Sequence, residues 1–363
     1  MANQYGKNIS LSIYGGSHDA EIGMHLAGFP AGFALDRDEL LRFMARRAPN
    51  GGAFSTPRKE PDTPEFLEGL TDGVTNGGEL HAVIRNTNAR SSDYSFVYDT
   101  PRPGHADYAA LCKYGKSVDL RGGGHFSGRL TAPLCIAGGM ALQYLAARGI
   151  TIGAHIAAIH GVEDARLDPV AVDAATLNAL KKMPFPTLDR AAGEAMQAEI
   201  AGARAALDSV GGVIECAVVG LPAGLGEHMF DGVEGRFASL LFSIPAVKGV
   251  EFGAGFGASA LLGSENNDCY ETDGKAVKTA TNHCGGILGG MTNAMPLTFR
   301  VAFKPTPSIA REQQTVSLSR MENTTLSIGG RHDPTVVVRA VPVVEAAAAI
   351  AVLDLLLDHS PEK

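Results

Sequence analysis

The stretch Arg102-Pro-Gly-His105-Ala-Asp107-Tyr108 continues through Lys113-Tyr-Gly-Lys116 to Arg121-Gly-Gly-Gly-His125-Phe-Ser127-Gly-Arg129-Leu-Thr131 and gathers acid–base groups, cations and bare backbone in one short segment. Three adjacent glycines let main-chain N–H groups turn toward one point without interference from Cβ, and such a nest ahead of a helix binds anions. A helix is predicted to follow. Thr131 serves as its N-cap, Pro133 stands just inside, residues 134–148 are mostly apolar or helix-forming, and Gly149 stands where the chain leaves it. Ser127 and Arg129 then lie at the positive end of that helix.

On the N-terminal side, residues 9–13 alternate like a half-buried strand and deliver Tyr14-Gly-Gly-Ser17-His18 at its end. A histidine leaving a strand suits a site, and equally a turn that satisfies it locally. Asp36 and Glu39 form a D-x-x-E capping box for a helix ending at Arg46-Arg47, where the two cations complement the helix C-terminus or reach a ligand. A strand is expected over residues 80–84, followed by the polar words Asn86-Thr-Asn and Ser92-Asp93-Tyr94.

Beyond the central stretch, residues 171–183 and 188–208 read as amphipathic scaffold helices and residues 213–219 as a strand. Gly255-Phe-Gly257-Ala-Ser-Ala260 fits the letters of a dinucleotide fingerprint. That motif needs a helix and a further strand after it, however, and residues 263–274 read as polar loop, so no nicotinamide-binding fold is expected. A second glycine-rich loop, Asn282-His-Cys-Gly285-Gly-Ile-Leu-Gly289-Gly290, precedes the alternating strand 297–303 and then Lys304-Pro-Thr306-Pro-Ser308, a phosphate site or a capped strand end. Gly329-Gly-Arg331-His332-Asp333-Pro334 leads into a predicted strand over 335–341, with Pro342 opening a closing helix.

Composition narrows the classes. With 45% hydrophobic and 19% charged residues the chain can bury a large core. A net charge of −8 argues against general nucleic-acid affinity, which needs a basic face. The five cysteines show no C-x-x-C spacing, so neither a disulfide framework nor a zinc site is expected. The N-terminus shows no export signal, which favours the cytoplasm, and the apolar run 346–357 is short for a membrane span, contains Asp354 and reads as a buried helix. No metal site is expected.

These motifs resemble the chorismate synthase family, whose pattern reads R-P-G-H-A-D, K-Y-G and D-x-R-G-G-G-R-x-S-A-R-E-T here, G-E-S-H-G near the N-terminus, R-K-E-P-D at 58–62 and K-P-T-x-S at 304–308. The likeness extends from Tyr14 to Asp354. Departures are Gly16 and Asp19 in the opening motif, His125 for Arg, Gly128 for Ala and Leu130 for Glu in the glycine loop, Pro245 for Asn, and the lack of an arginine in residues 50–54.

The resemblance implies a single catalytic domain over residues 1–363, of mixed α/β class with antiparallel sheets packed by helices, assembled as a homotetramer. It implies a lyase that converts 5-enolpyruvylshikimate-3-phosphate to chorismate and phosphate by 1,4-elimination, the last step of the shikimate pathway, with reduced FMN required and supplied by an external reductant. His18, oriented by Ser17, would be the acid for the leaving phosphate; His105 would stabilise the charge of the reduced flavin; Asp333 would assist proton removal from substrate C6, and Ser127 would share in catalysis. FMN contacts carried over are His125, Phe126, Ser127, Pro245, Ala246, Gly289, Lys304, Pro305, Thr306, Pro307, Ser308 and Arg331. Substrate contacts are Arg46, Arg47, Arg129 and Arg331, since a substrate with one phosphate and two carboxylates calls for guanidinium forks. Rival readings are a flavin reductase, which needs a nicotinamide site, and a flavin carrier, which does not need the arginines.

Overall fold

The computed structural model describes residues 4–49, 62–86, 96–329 and 332–358. Two five-stranded antiparallel sheets enclose a layer of helices. Sheet I runs, edge to edge, Gln4–Tyr5, Ser10–Gly15, Glu21–Ala27, Leu80–Arg85, Glu65–Glu68. Sheet II runs Val247–Phe252, Leu297–Phe303, Gly212–Val219, Thr151–Ile159, Val162–Glu163. Alternation decides their faces: Ile22, Met24 and Leu26 with Leu80, Ala82 and Ile84 are buried in sheet I, and Phe299, Val301 and Phe303 with Ile214 and Cys216 in sheet II.

The helices are α1 (Arg37–Arg47), α2 (Asp107–Tyr114), α3 (Thr131–Ala146), α4 (Ala174–Leu180), α5 (Arg190–Ala205), α6 (Val233–Ser243), the single turn α7 (Gly263–Asn266) and α8 (Val337–Asp358). α3 packs toward sheet I and α8 toward sheet II, and the two lie against each other in the middle. Their backbones nearly touch: a Cβ on Gly138 would stand 2.8 Å from the carbonyl oxygen of Ala346, which is why this seam is written in Gly and Ala. α8 is long and apolar enough to cross a membrane, yet it is buried in this core and carries the buried carboxylates of Glu345 and Asp354.

Several expectations change. α1 starts as predicted, with Asp36 accepting the Glu39 N–H at 2.9 Å, but the Asp36 N–H goes to Gln143 of α3 at 3.0 Å, so a tertiary contact completes the cap. Thr131 is the first residue of α3, not its cap, and Leu130 before it supplies no side-chain cap; Ser127 caps the 3-10 turn Gly128–Leu130 that leads into the helix, accepting the Arg129 N–H at 3.2 Å. The two scaffold helices are shorter than read, because Asp173 and Asp189 cap them from within the predicted spans. Residues 263–274 contain α7 and the first strand of a hairpin, Tyr270–Thr272 with Val277–Thr279, while Gly255–Ala260 forms 3-10 turns. Residues 337–341 of the predicted strand 335–341 form the first part of α8, and Pro342 lies inside that helix. Residues 50–54, 58–61, 92–94 and Arg331 lie outside the described residues.

Candidate active site

The glycine loop leaves Leu120 and runs through Gly122, Gly123 and Gly124 with φ of 58°, 94° and 52°, a left-handed path open to glycine. Gly122 also has no room for a side chain, since a Cβ there would lie 2.6 Å from the Ser17 hydroxyl and against the His18 ring. Ser17 donates to the Arg121 carbonyl at 2.9 Å and sits 3.4 Å from His18 Nδ1. The end of the second strand of sheet I is thereby fastened to the loop. His125 is fastened likewise, its Nδ1–H donating to the Gly15 carbonyl at 2.8 Å.

His105 approaches the next glycine: a Cβ on Gly123 would stand 3.3 Å from its Nε2. Its Nδ1 is 2.7 Å from the Asp107 carboxylate and 3.1 Å from the Arg102 guanidinium. The carboxylate makes the closer contact and can only accept, so it draws Nδ1–H and leaves Nε2 toward the loop. Asp107 is buried and also receives both Arg102 Nε and NH2 at 2.7 Å. Burial pushes its carboxyl up, but the bonds from Arg102 and His105 outweigh that and hold it well below the usual carboxylate range.

Behind the loop lies a bed of paired charge. The buried Asp62 accepts from Arg47 with one carboxylate oxygen and from Arg129 with the other. Burial raises this carboxyl and the two guanidiniums bring it down, with a net lowering. Arg47 is held further by Thr131 at 3.1 Å and the Gly128 carbonyl at 3.0 Å. Arg339, one turn into α8, donates to Asp333 at 2.7 Å and to the Arg47 carbonyl at 2.9 Å.

These groups surround a cavity of about 560 Å³. Its walls include Arg47, Arg129, His105, His125, Phe126 and Ser127 on one side, Pro245, Ala246, Lys248, Lys304, Thr306, Pro307 and Ser308 on another, and Asp333, Val336, Arg339, Ala340 and Val343 from the start of α8. Ala246 takes φ of 76°. Its carbonyl receives the Lys304 N–H at 2.9 Å, so the two cofactor-type segments arrive side by side.

Most predicted site residues therefore converge. Ser17 and His18 are not part of the lining but stand against Gly122, which is. Arg46, Gly289 and Pro305 also lie outside it. Arg46 turns away to the buried Glu345 of α8, whose other partner is the Ala154 N–H at 3.1 Å on sheet II. The substrate role expected for Arg46 is corrected accordingly. Gly289 occupies an exposed hairpin turn, with φ of 61°, between Ile287–Leu288 and Met291–Asn293. Pro305 is exposed beside the cavity, outside its lining. Conversely Asp62, Asp107, Lys248 and Arg339 received no role from the sequence. His105-x-Asp107 spacing was a usable signal, whereas Arg339 was hidden by reading its helix as a strand.

Fold and site together define a mixed α/β protein whose cavity, walled by paired arginines, suits anionic small molecules. The sequence profile of chorismate synthase matches residues 9–357. A chorismate synthase of Lancefieldella parvula is 45% identical over 374 residues, covering 100% of this chain and 98% of that protein. One of Thermococcus kodakarensis is 45% identical over 353 residues, 97% of each. A solved chorismate synthase crystal structure superposes with a TM-score of 0.77 at 27% identity, over 97% of this chain and 93% of that one. The chain belongs to the chorismate synthase family, and is a lyase of the chorismate-forming step of the shikimate pathway.

Proposed function

We propose that the cavity binds FMN in its reduced form together with 5-enolpyruvylshikimate-3-phosphate, and that phosphate leaves the substrate by 1,4-elimination to give chorismate. The observation that supports this most is the arginine bed, Arg47 and Arg129 fixed on one buried carboxylate, beside a glycine loop flanked by two histidines. The residues also fit a flavin phosphate. The Thr306 hydroxyl is buried without a partner, and Lys304 gives its ammonium hydrogen bond to the Gly104 carbonyl. His125, Phe126, Ser127, Pro245, Ala246, Lys304, Thr306, Pro307 and Ser308 would hold the cofactor, with Arg331 expected on family grounds.

Bound reduced FMN supplies electron density that the side chains lack. The protein's own work is binding and proton placement. Arg47 and Arg129 orient the substrate anions. His18 gives its proton to the departing phosphate, and Ser17 fixes the ring. His105, its Nδ1–H drawn by Asp107, presents Nε2 to the glycine loop where the charge of the reduced flavin would lie, and Asp333, held by Arg339, receives the substrate proton. The single domain and the homotetramer rest on the resemblance, and the external reductant on the reading that the sequence carries no nicotinamide-binding fold. One assay tests the reading: anaerobic phosphate release with and without chemically reduced FMN. Release should require the reduced flavin, and NADPH as sole reductant should not sustain it; equal release without flavin would overturn the proposal.

A further inference from the structure

Resting on the flavin reading above, we propose that Lys248 is a second cation for a phosphomonoester at the Lys304 end of the cavity, and that this group is the flavin's phosphate. The position of Lys248 comes from a β-bulge. Along the edge of sheet II, Val247 pairs with Phe303 but Gly249 already pairs with Ala302, leaving Lys248 as the extra residue. A bulged residue drops out of the ladder and its side chain is re-aimed, a device common next to active sites. Here both residues line the cavity, Val247 buried in its wall and Lys248 exposed at its edge.

Lys304 leaves the partner strand directly after Phe303, so the two lysines flank one strand junction. Burial and then the neighbouring Lys248 lower the Lys304 ammonium. A like charge beside a half-buried ammonium disfavours it unless an anion lies between the two. A phosphomonoester, carrying about −1.5 to −2 charges near neutral pH, matches the pair, and the unpartnered Thr306 hydroxyl beside them offers it a donor. Riboflavin has the same ring system and no such group.

The test compares dissociation constants of FMN, riboflavin and 5-enolpyruvylshikimate-3-phosphate, by fluorescence or calorimetry, in the unaltered protein, Lys248→Met and Lys304→Met. Expected is a rise of about tenfold in the FMN constant of Lys248→Met, with riboflavin unmoved and the variant's melting temperature retained. Equal weakening of FMN and riboflavin, or no change in either, overturns the assignment. Weakening of the substrate with FMN unchanged overturns it in favour of the substrate's phosphate. Failure of the unaltered protein to bind any flavin sinks the functional reading itself, and this inference with it.

Discussion

His18 and His105 approach neighbouring glycines of one loop, and their surroundings give them separable work. Loss of a positioned proton donor typically costs about 100- to 10,000-fold in rate, so His18→Ala should lower single-turnover phosphate release by that order while flavin binding stays nearly intact. His105→Ala should instead change the spectrum or affinity of reduced flavin. Equal loss of melting temperature in both, with release per folded molecule unchanged, would return them to the scaffold. Asp62 adds a test of the arginine bed. Its asparagine variant keeps the shape but loses the charge that fixes Arg47 and Arg129, so KM for the substrate should rise by roughly tenfold or more. If only the melting temperature falls, Asp62 merely packs. At this scale the sequence was legible where a motif names a residue, as with His105 and Arg129. It was silent on Asp62 and on the place of Lys248, which come from a partner distant in the chain and from a slip in strand register.

The correction at Arg46 belongs to the element scale, because this side chain fastens α1 to α8 and, through Glu345, to the Ala154 N–H of sheet II. Glu345 is fully buried, and removing one partner of a buried pair costs about 3–5 kcal/mol, so Arg46→Ala should lower unfolding free energy by about 3 kcal/mol, the side chain being partly exposed. Chemical denaturation checks this, and KM should move far less than in Asp62→Asn. The strands near residues 9–13, 80–84, 213–219 and 297–303 and the helix α3 were readable because alternation and an all-round apolar run carry their own periods, whereas Glu21–Ala27 and Thr151–Ile159 received no reading. α8 was not. Its opening, Val-Val-Val-Arg-Ala-Val-Pro-Val-Val, has the β-branched content of a strand, and Pro342 reads as a helix start. Burial against α3 overrides that preference, and helical spacing then puts Val336, Arg339, Ala340 and Val343 on the cavity wall.

At the scale of the whole molecule, stability has a pH-sensitive lock far from the catalytic cavity. The outer face of sheet II is covered by the segment from Asp164 through α4 to α5, and its one fully buried histidine, His155, bridges Asp164 at 2.9 Å and Glu215 at 2.8 Å. Glu215 also receives Arg166 and the Leu167 N–H, each at 2.8 Å, while Asp164 receives the N–H groups of Leu188 and Asp189 at 2.6 and 2.8 Å. Burial pushes the imidazole down, yet the two carboxylates outweigh it and raise its affinity for the proton. Because the folded value lies above the ordinary histidine value, this contribution to stability is complete below about pH 6.5 and is lost as pH rises through the folded value. Asp62, Asp107, Asp164 and Glu215 act oppositely. Their folded values are lowered, so their contribution is present above the ordinary carboxylate range and fades as pH falls through the folded values. Stability should therefore be greatest between about pH 5 and 6.5 and decline on both sides. The alkaline decline carries the signature of His155. In His155→Gln the amide cannot be charged at any pH, so the variant should be less stable at pH 6 and should lose the slope that the native protein shows from there toward pH 9. Unfolding free energies from denaturant titration at a series of pH values measure both curves. Parallel slopes in the two proteins would mean that His155 is neutral in its carboxylate cage and that the segment from Asp164 to α5 is held by packing alone.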